Sequence, residues 1–92
     1  MNLQPGDRVR IAPECPWGSW AFGTVTPPTP LHLAIARPGE WQGGRKTIQT
    51  SIGPIAFYYI EFDSPQGHTR GGAFSGAEIE VRFLMPVRAQ GA

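Results

Sequence analysis

Ile55-Ala56-Phe57-Tyr58-Tyr59-Ile60-Glu61-Phe62, IAFYYIEF, is the strongest strand signal in the chain, and its reading decides the fold. Its side chains alternate between two faces, with Tyr58, Ile60 and Phe62 on one and Phe57, Tyr59 and Glu61 on the other. The first set is predicted to face the core. Phe57 and Tyr59 then need a cover, from the long segment that precedes them or from a partner protein.

Working outward, Asp7-Arg8-Val9-Arg10-Ile11 alternates in the same way, with Val9 and Ile11 inward and Arg8 and Arg10 outward, after a Pro5-Gly6 turn. Ala21 to Thr26 is a second strand, in which Gly23 marks a bulge or a close backbone crossing. Downstream, DSPQG (Asp63 to Gly67) reads as a turn, followed by a short strand toward Phe74. The terminal run Ile79 to Val87 is either one long strand or a helical turn around Ala77–Glu80 followed by a strand from Val81. Its phase is ambiguous because Leu84 and Met85 are adjacent apolar residues and Pro86 lacks a ladder donor.

Residues 27–54 do not fit a compact framework. Such a stretch is too long for an ordinary loop and points to function or to hidden structure. Leu31 to Ala36 alternates like an extra strand, and Lys46 to Ile52 is placed to pair with it across the Gly39 to Gly44 turn, giving a decorated hairpin. No convincing helix is read anywhere.

A chain of 92 residues supports one small domain, residues 1–92, with any site sharing residues with the core. The 22 Gly and Pro residues (12 and 10), beside a 40% hydrophobic content, indicate a turn-rich all-β fold. A net charge of +1, with dispersed basic residues, argues against a dedicated nucleic-acid binder. The single cysteine forms no internal disulfide, and the N-terminal MNLQPGDRVR carries no secretory pattern. No apolar run approaches the length of a membrane span. The expectation from these features is a soluble cytoplasmic protein without membrane insertion.

The series Pro5-Gly6-Asp7-Arg8-Val9-Arg10-Ile11, Gly23-Thr24-Val25, Tyr59-Ile60-Glu61-Phe62-Asp63, then Phe74, Glu78-Ile79 and Pro86-Val87 resembles small SH3-like barrels. Those it is similar to include the small barrel-forming accessory protein of photosystem I, the variable chain of ferredoxin-thioredoxin reductase and the barrel of the nitrile hydratase beta subunit. The resemblance implies an SH3-like barrel of about five core strands, with residues 27–54 as an inserted loop or hairpin. It also implies an accessory or interaction role beside a larger protein, and assigns only scaffold roles to the matched residues.

Chemical motifs are sparse. Cys15, His32 and His68 lack metal-site spacing, and no activating partner is evident for Cys15 as a nucleophile. Gly39, Gly43-Gly44 and Arg45-Lys46 lack the helix and hydroxyl of a phosphate loop. No catalytic residue, metal or cofactor is therefore assigned. The protein-binding assignment goes to Trp17, Trp20, Trp41, Phe57 and Tyr59, with Tyr58 as a further aromatic contact.

In ECPWGSW (Glu14 to Trp20) the tryptophans serve either as core cover or as contacts with a partner. The expected function is a noncatalytic accessory or protein-interaction domain, binding a partner or itself through this loop and the 27–54 segment. One alternative is a nucleic-acid-binding barrel using Arg8, Arg10, Arg37, Arg45, Lys46 and Arg70. Another is a small enzyme or enzyme subunit, which requires Cys15 or His68 to meet acids in a pocket.

Overall fold

The computed structural model describes residues 3–68 and 72–87. Expectations that rest on the His68 side chain, Thr69, Arg70 or Arg88 lie outside what it describes.

The chain runs β1 (Arg8–Ile11), β2 (Phe22–Val25), α1 (Pro30–Ile35), β3 (Trp41–Gln42), β4 (Arg45–Thr50), β5 (Gly53–His68), β6 (Gly72–Glu80), a 3-10 turn (Val81–Phe83) and β7 (Leu84–Pro86). All ladders are antiparallel, so the all-β reading holds. The sheet order is β3-β4-β5-β2-β1-β7, with β6 paired to β5 outside that path.

Strand β5 organises the molecule because it is long enough to serve several neighbours. Its first part pairs with β4 and its middle with β2, while β6 takes the opposite edge. The expected face assignment is observed: Tyr58, Ile60 and Phe62 are buried with Val9, Ile11, Val25, Ile79 and Leu84. Tyr58 is therefore a core residue, and its hydroxyl oxygen accepts the Leu3 N–H at 3.1 Å. Gly23 sits where β2 meets β5, and a Cβ there would come within 2.5 Å of Ile60 Cγ2, which confirms the close crossing.

The structure corrects several local expectations. Leu31–Ala36 is no strand: Pro30–Ile35 forms a helix, with Thr29 as N-cap accepting the His32 N–H at 3.2 Å and Pro30 at its start. Cap and proline both favour helix entry, and over so few residues they outweigh the alternating pattern. β4 pairs instead with β3, through a hairpin whose Gly43 and Gly44 have φ of 60° and 79°. Positive φ at both central positions is the requirement of a type I′ turn, which glycine meets without steric cost.

Asp63 to Gly67 is not a turn either, because β5 continues to His68 with a register shift against β6 between Glu61 and Gln66. The helical turn near the C-terminus falls at Val81–Phe83 rather than Ala77–Glu80. That turn resets the phase, burying Leu84 and leaving Met85 exposed.

Candidate functional site

The aromatic loop between β1 and β2 is fastened at its base. Ala12 N–H donates to Phe83 O at 2.8 Å and Cys15 N–H to Ala12 O at 3.1 Å. Ser19 Oγ lies 2.8 Å from Pro13 O and 2.7 Å from Cys15 O, so its hydroxyl ties both arms together. The Cys15 side chain is buried in the core, and burial pushes its thiol pKa up. Gly18, at φ 70°, lies against the Phe62 ring, where a Cβ would approach Cε1 to 2.8 Å.

One half of ECPWGSW is thus core cover and the other half surface. Cys15 and Gly18 close the end of the core, while Trp17 and Trp20 remain 45% and 54% exposed. Trp17 stands edge-on to Phe74 with ring centroids 6.0 Å apart, and Phe74 in turn meets Phe62 at 5.8 Å. Trp20 adopts φ 66°, uncommon for a bulky residue, in a turn closed by the Ala21 N–H to Gly18 O bond of 2.8 Å.

The 27–54 segment supplies the cover that the outer face of β5 requires. His32 of α1 packs edge-on against Tyr59, centroids 4.8 Å apart, and Tyr59 is only 9% exposed. Burial, followed by the nearby Glu61 and Glu78 carboxylates, raises the Tyr59 pKa. Tyr59 is accordingly a packing residue beneath the helix rather than a surface contact. Below His32, Glu78 accepts a 2.8 Å bond from Lys46 Nζ and lies 3.7 Å from His32 Nε2. Thr29 Oγ1 is 2.5 Å from His32 Nδ1.

Between the loop and the helix lies an open groove. Its larger part, about 450 Å³, is bounded by Trp17 and Ile35, with Phe74, Gly76, Ala77 and Glu78 along its floor. A second depression of about 220 Å³ shares Trp17 and Glu78 with it and continues past Phe57, Ile79 and Glu80 to Arg82. Ala77 and Ile79 belong to the core side of β6, whereas Glu78 reaches Lys46 and Gly76 lies under Tyr59 on the other side. A groove lined from both faces of one strand follows that strand's edge. Leu31, Leu33 and Ile35 extend the apolar surface along α1, at 67%, 51% and 70% exposure.

Of the residues expected to bind protein, Trp17 and Phe57 line this groove together. Trp20 belongs to another surface: Arg10 lies 4.7 Å from its ring and 4.9 Å from Phe22, and Met85 lies opposite Arg10 across the β1–β7 ladder. Trp41 is half-buried opposite Lys46, and among the described residues its buried indole N–H has no hydrogen-bond partner. The sequence reading missed Ile35, Lys46 and Glu78 as groove residues. The Thr29-Pro30 helix start was the signal that would have brought Ile35 to the surface.

Among the described residues, no group of three His, Cys, Asp or Glu side chains is placed to hold a metal ion. None of their helices is long and apolar enough to cross a membrane. Comparisons with protein-family models, characterised proteins and solved structures find no match.

Proposed function

We propose that this chain is a noncatalytic protein-interaction module built on an SH3-like barrel. The path β7-β1-β2-β5-β6 and the one-turn helix before the last strand support that architecture. On this reading the 27–54 segment is an elaboration that supplies one wall of a binding groove, and the aromatic loop supplies the other. A cytoplasmic setting suits a buried thiol that needs no oxidation partner.

The observation that carries the function is the pair of adjoining depressions between Ile35 and Arg82, which share Trp17 and Glu78 in their lining, with Phe74 beside Trp17 in the larger one. Exposed aromatic and aliphatic side chains around a concave surface are the usual anchors of protein recognition. The principal charges along it are already balanced, because Glu78 pairs with Lys46 and Glu80 with Arg82. Nucleic-acid binding is less favoured: of the cations named for it, Arg8 and Lys46 pair with carboxylates and Arg10 lies over the Trp20 and Phe22 rings, which leaves Arg37 and Arg45 among the described residues to meet a phosphate backbone.

Capture from native cell extract tests the proposal, comparing wild type with folded Trp17→Ala and Ile35→Asp proteins. A stoichiometric protein partner recovered by wild type and lost from both variants is expected. Undiminished recovery by both variants would move the interface elsewhere, and salt-sensitive recovery of nucleic acid would replace the function.

A further inference from the structure

Given the groove's role as a protein-binding site, on which this inference rests, we infer that its occupant is an extended segment of a partner protein that joins the free edge of β6 as an additional strand. Among the described residues, β6 pairs with β5 alone, and no other strand or loop forms a backbone–backbone bond to it. Every second residue of an antiparallel edge strand directs both its N–H and C=O away from its neighbour. The groove lies where those groups emerge, since its floor takes residues from both faces of β6.

The sequence of the strand suits this use. Proteins blunt exposed edges with proline, lysine or a covering element. GAFSGAEIE has neither of those residues, and its two acids are held by Lys46 and Arg82. Its glycines, alanines and serine leave room for another backbone to approach. A Cβ at Gly76 would meet Tyr59 Oη at 2.6 Å, so the packing beneath the edge also keeps that position small.

The walls select the occupant. Trp17 rises on the core side of the edge and Ile35 on the helix side, so the two walls flank the strand between them. A second copy of this chain would bring its own loop and helix against the same walls. From Gly76 to Glu80, where β6 keeps unbroken register with β5, the edge runs about 13 Å at roughly 3.3 Å per residue, enough for about four residues of an extended segment. Side chains on one face of that segment meet Trp17 and Phe74, and those on the other meet Ile35 before passing the neutralised Glu78–Lys46 pair. The matching chemistry is an uncharged segment with aromatic or β-branched residues at alternate positions.

A displayed library of random peptides selected on the full chain supplies the probes. Enriched peptides are synthesised with single N-methyl amides at successive positions, and their affinities measured for wild type, Trp17→Ala and Ile35→Asp. Strand addition predicts a period of two: N-methylation at alternate positions weakens binding about tenfold, and at intervening positions hardly at all. Both protein variants weaken every peptide. Peptides sensitive to both variants but without the alternating pattern would overturn strand addition and leave the groove as the site. Failure to enrich any peptide, or enrichment of peptides insensitive to both variants, would overturn the groove itself.

Discussion

The Trp17 ring meets Phe74 edge-on at an interplanar angle of 79°, joining the tip of the β1–β2 loop to the strand that forms the groove floor. An aromatic pair of this kind contributes about 0.5–1.5 kcal/mol beyond its area burial. Trp17→Ala is therefore expected to lower stability by about 1 kcal/mol, a fall in Tm of roughly 4–8 °C for a domain of this size, while leaving it folded. Thermal denaturation checks the first part and circular dichroism the second. Complete unfolding would show that the ring is indispensable core rather than a groove wall.

The Lys46–Glu78 pair is well shielded, with side chains only 12% and 19% exposed. Removing one partner leaves the other desolvated without its full complement, at a cost of about 1–3 kcal/mol. The double substitution Lys46→Met/Glu78→Leu is expected to cost less than the two single changes summed, with a coupling above about 0.5 kcal/mol. Urea denaturation of the four proteins measures this, and simple additivity would show that the pair does not fasten β4 to β6.

Gly18 meets two constraints at once, a φ of 70° and contact with the Phe62 ring. Gly18→Ala adds both backbone strain and an overlap, so a loss of about 1–3 kcal/mol is expected. The same change at Gly39, where φ is 84° and a Cβ would meet nothing within 4 Å, isolates the conformational part. Equal destabilisation at the two sites would show that the loop does not press on Phe62.

Arg8 grips Asp63 through two contacts of 2.6 Å, and the hydrogen bonds from Arg8 hold the Asp63 carboxyl below its usual range. A depressed folded pKa means stability that is fully present above the unfolded carboxyl's pKa and lost as pH falls through the folded value. With side chains 41% and 47% exposed, the pair contributes no more than about 1 kcal/mol at neutral pH, and less in high salt. Asp63→Asn should therefore be slightly less stable than wild type at pH 7 and indistinguishable from it once the carboxyl is protonated. A difference that persists undiminished in strong acid would assign the effect to something other than this charge.

Legibility in the sequence followed physical range. Alternation from Ile55 to Phe62 exposed the core face because burial acts on every second residue of a half-buried strand. The same rule misread Leu31 to Ala36, where a proline, a threonine cap and a short span decide the backbone and the exposed apolar side chains carry no signal of burial. Asp63 to Gly67 has the composition of a turn, yet pairing with β6 carries the strand through it. At the site, Trp17 and Phe57 were legible as aromatics in need of a role. Their meeting with Ile35 and Glu78 was not, because it depends on the edge of β6 passing between two segments distant in sequence.

The most direct test places a photo-crosslinking amino acid at Ile35, on the groove wall, and separately at Met85, on the outer face of β1 and β7, with each protein produced in its native cells. A discrete protein adduct formed from position 35 and not from position 85 is the result predicted for a groove that binds a partner. An adduct from position 85 alone, or from neither, would contradict it.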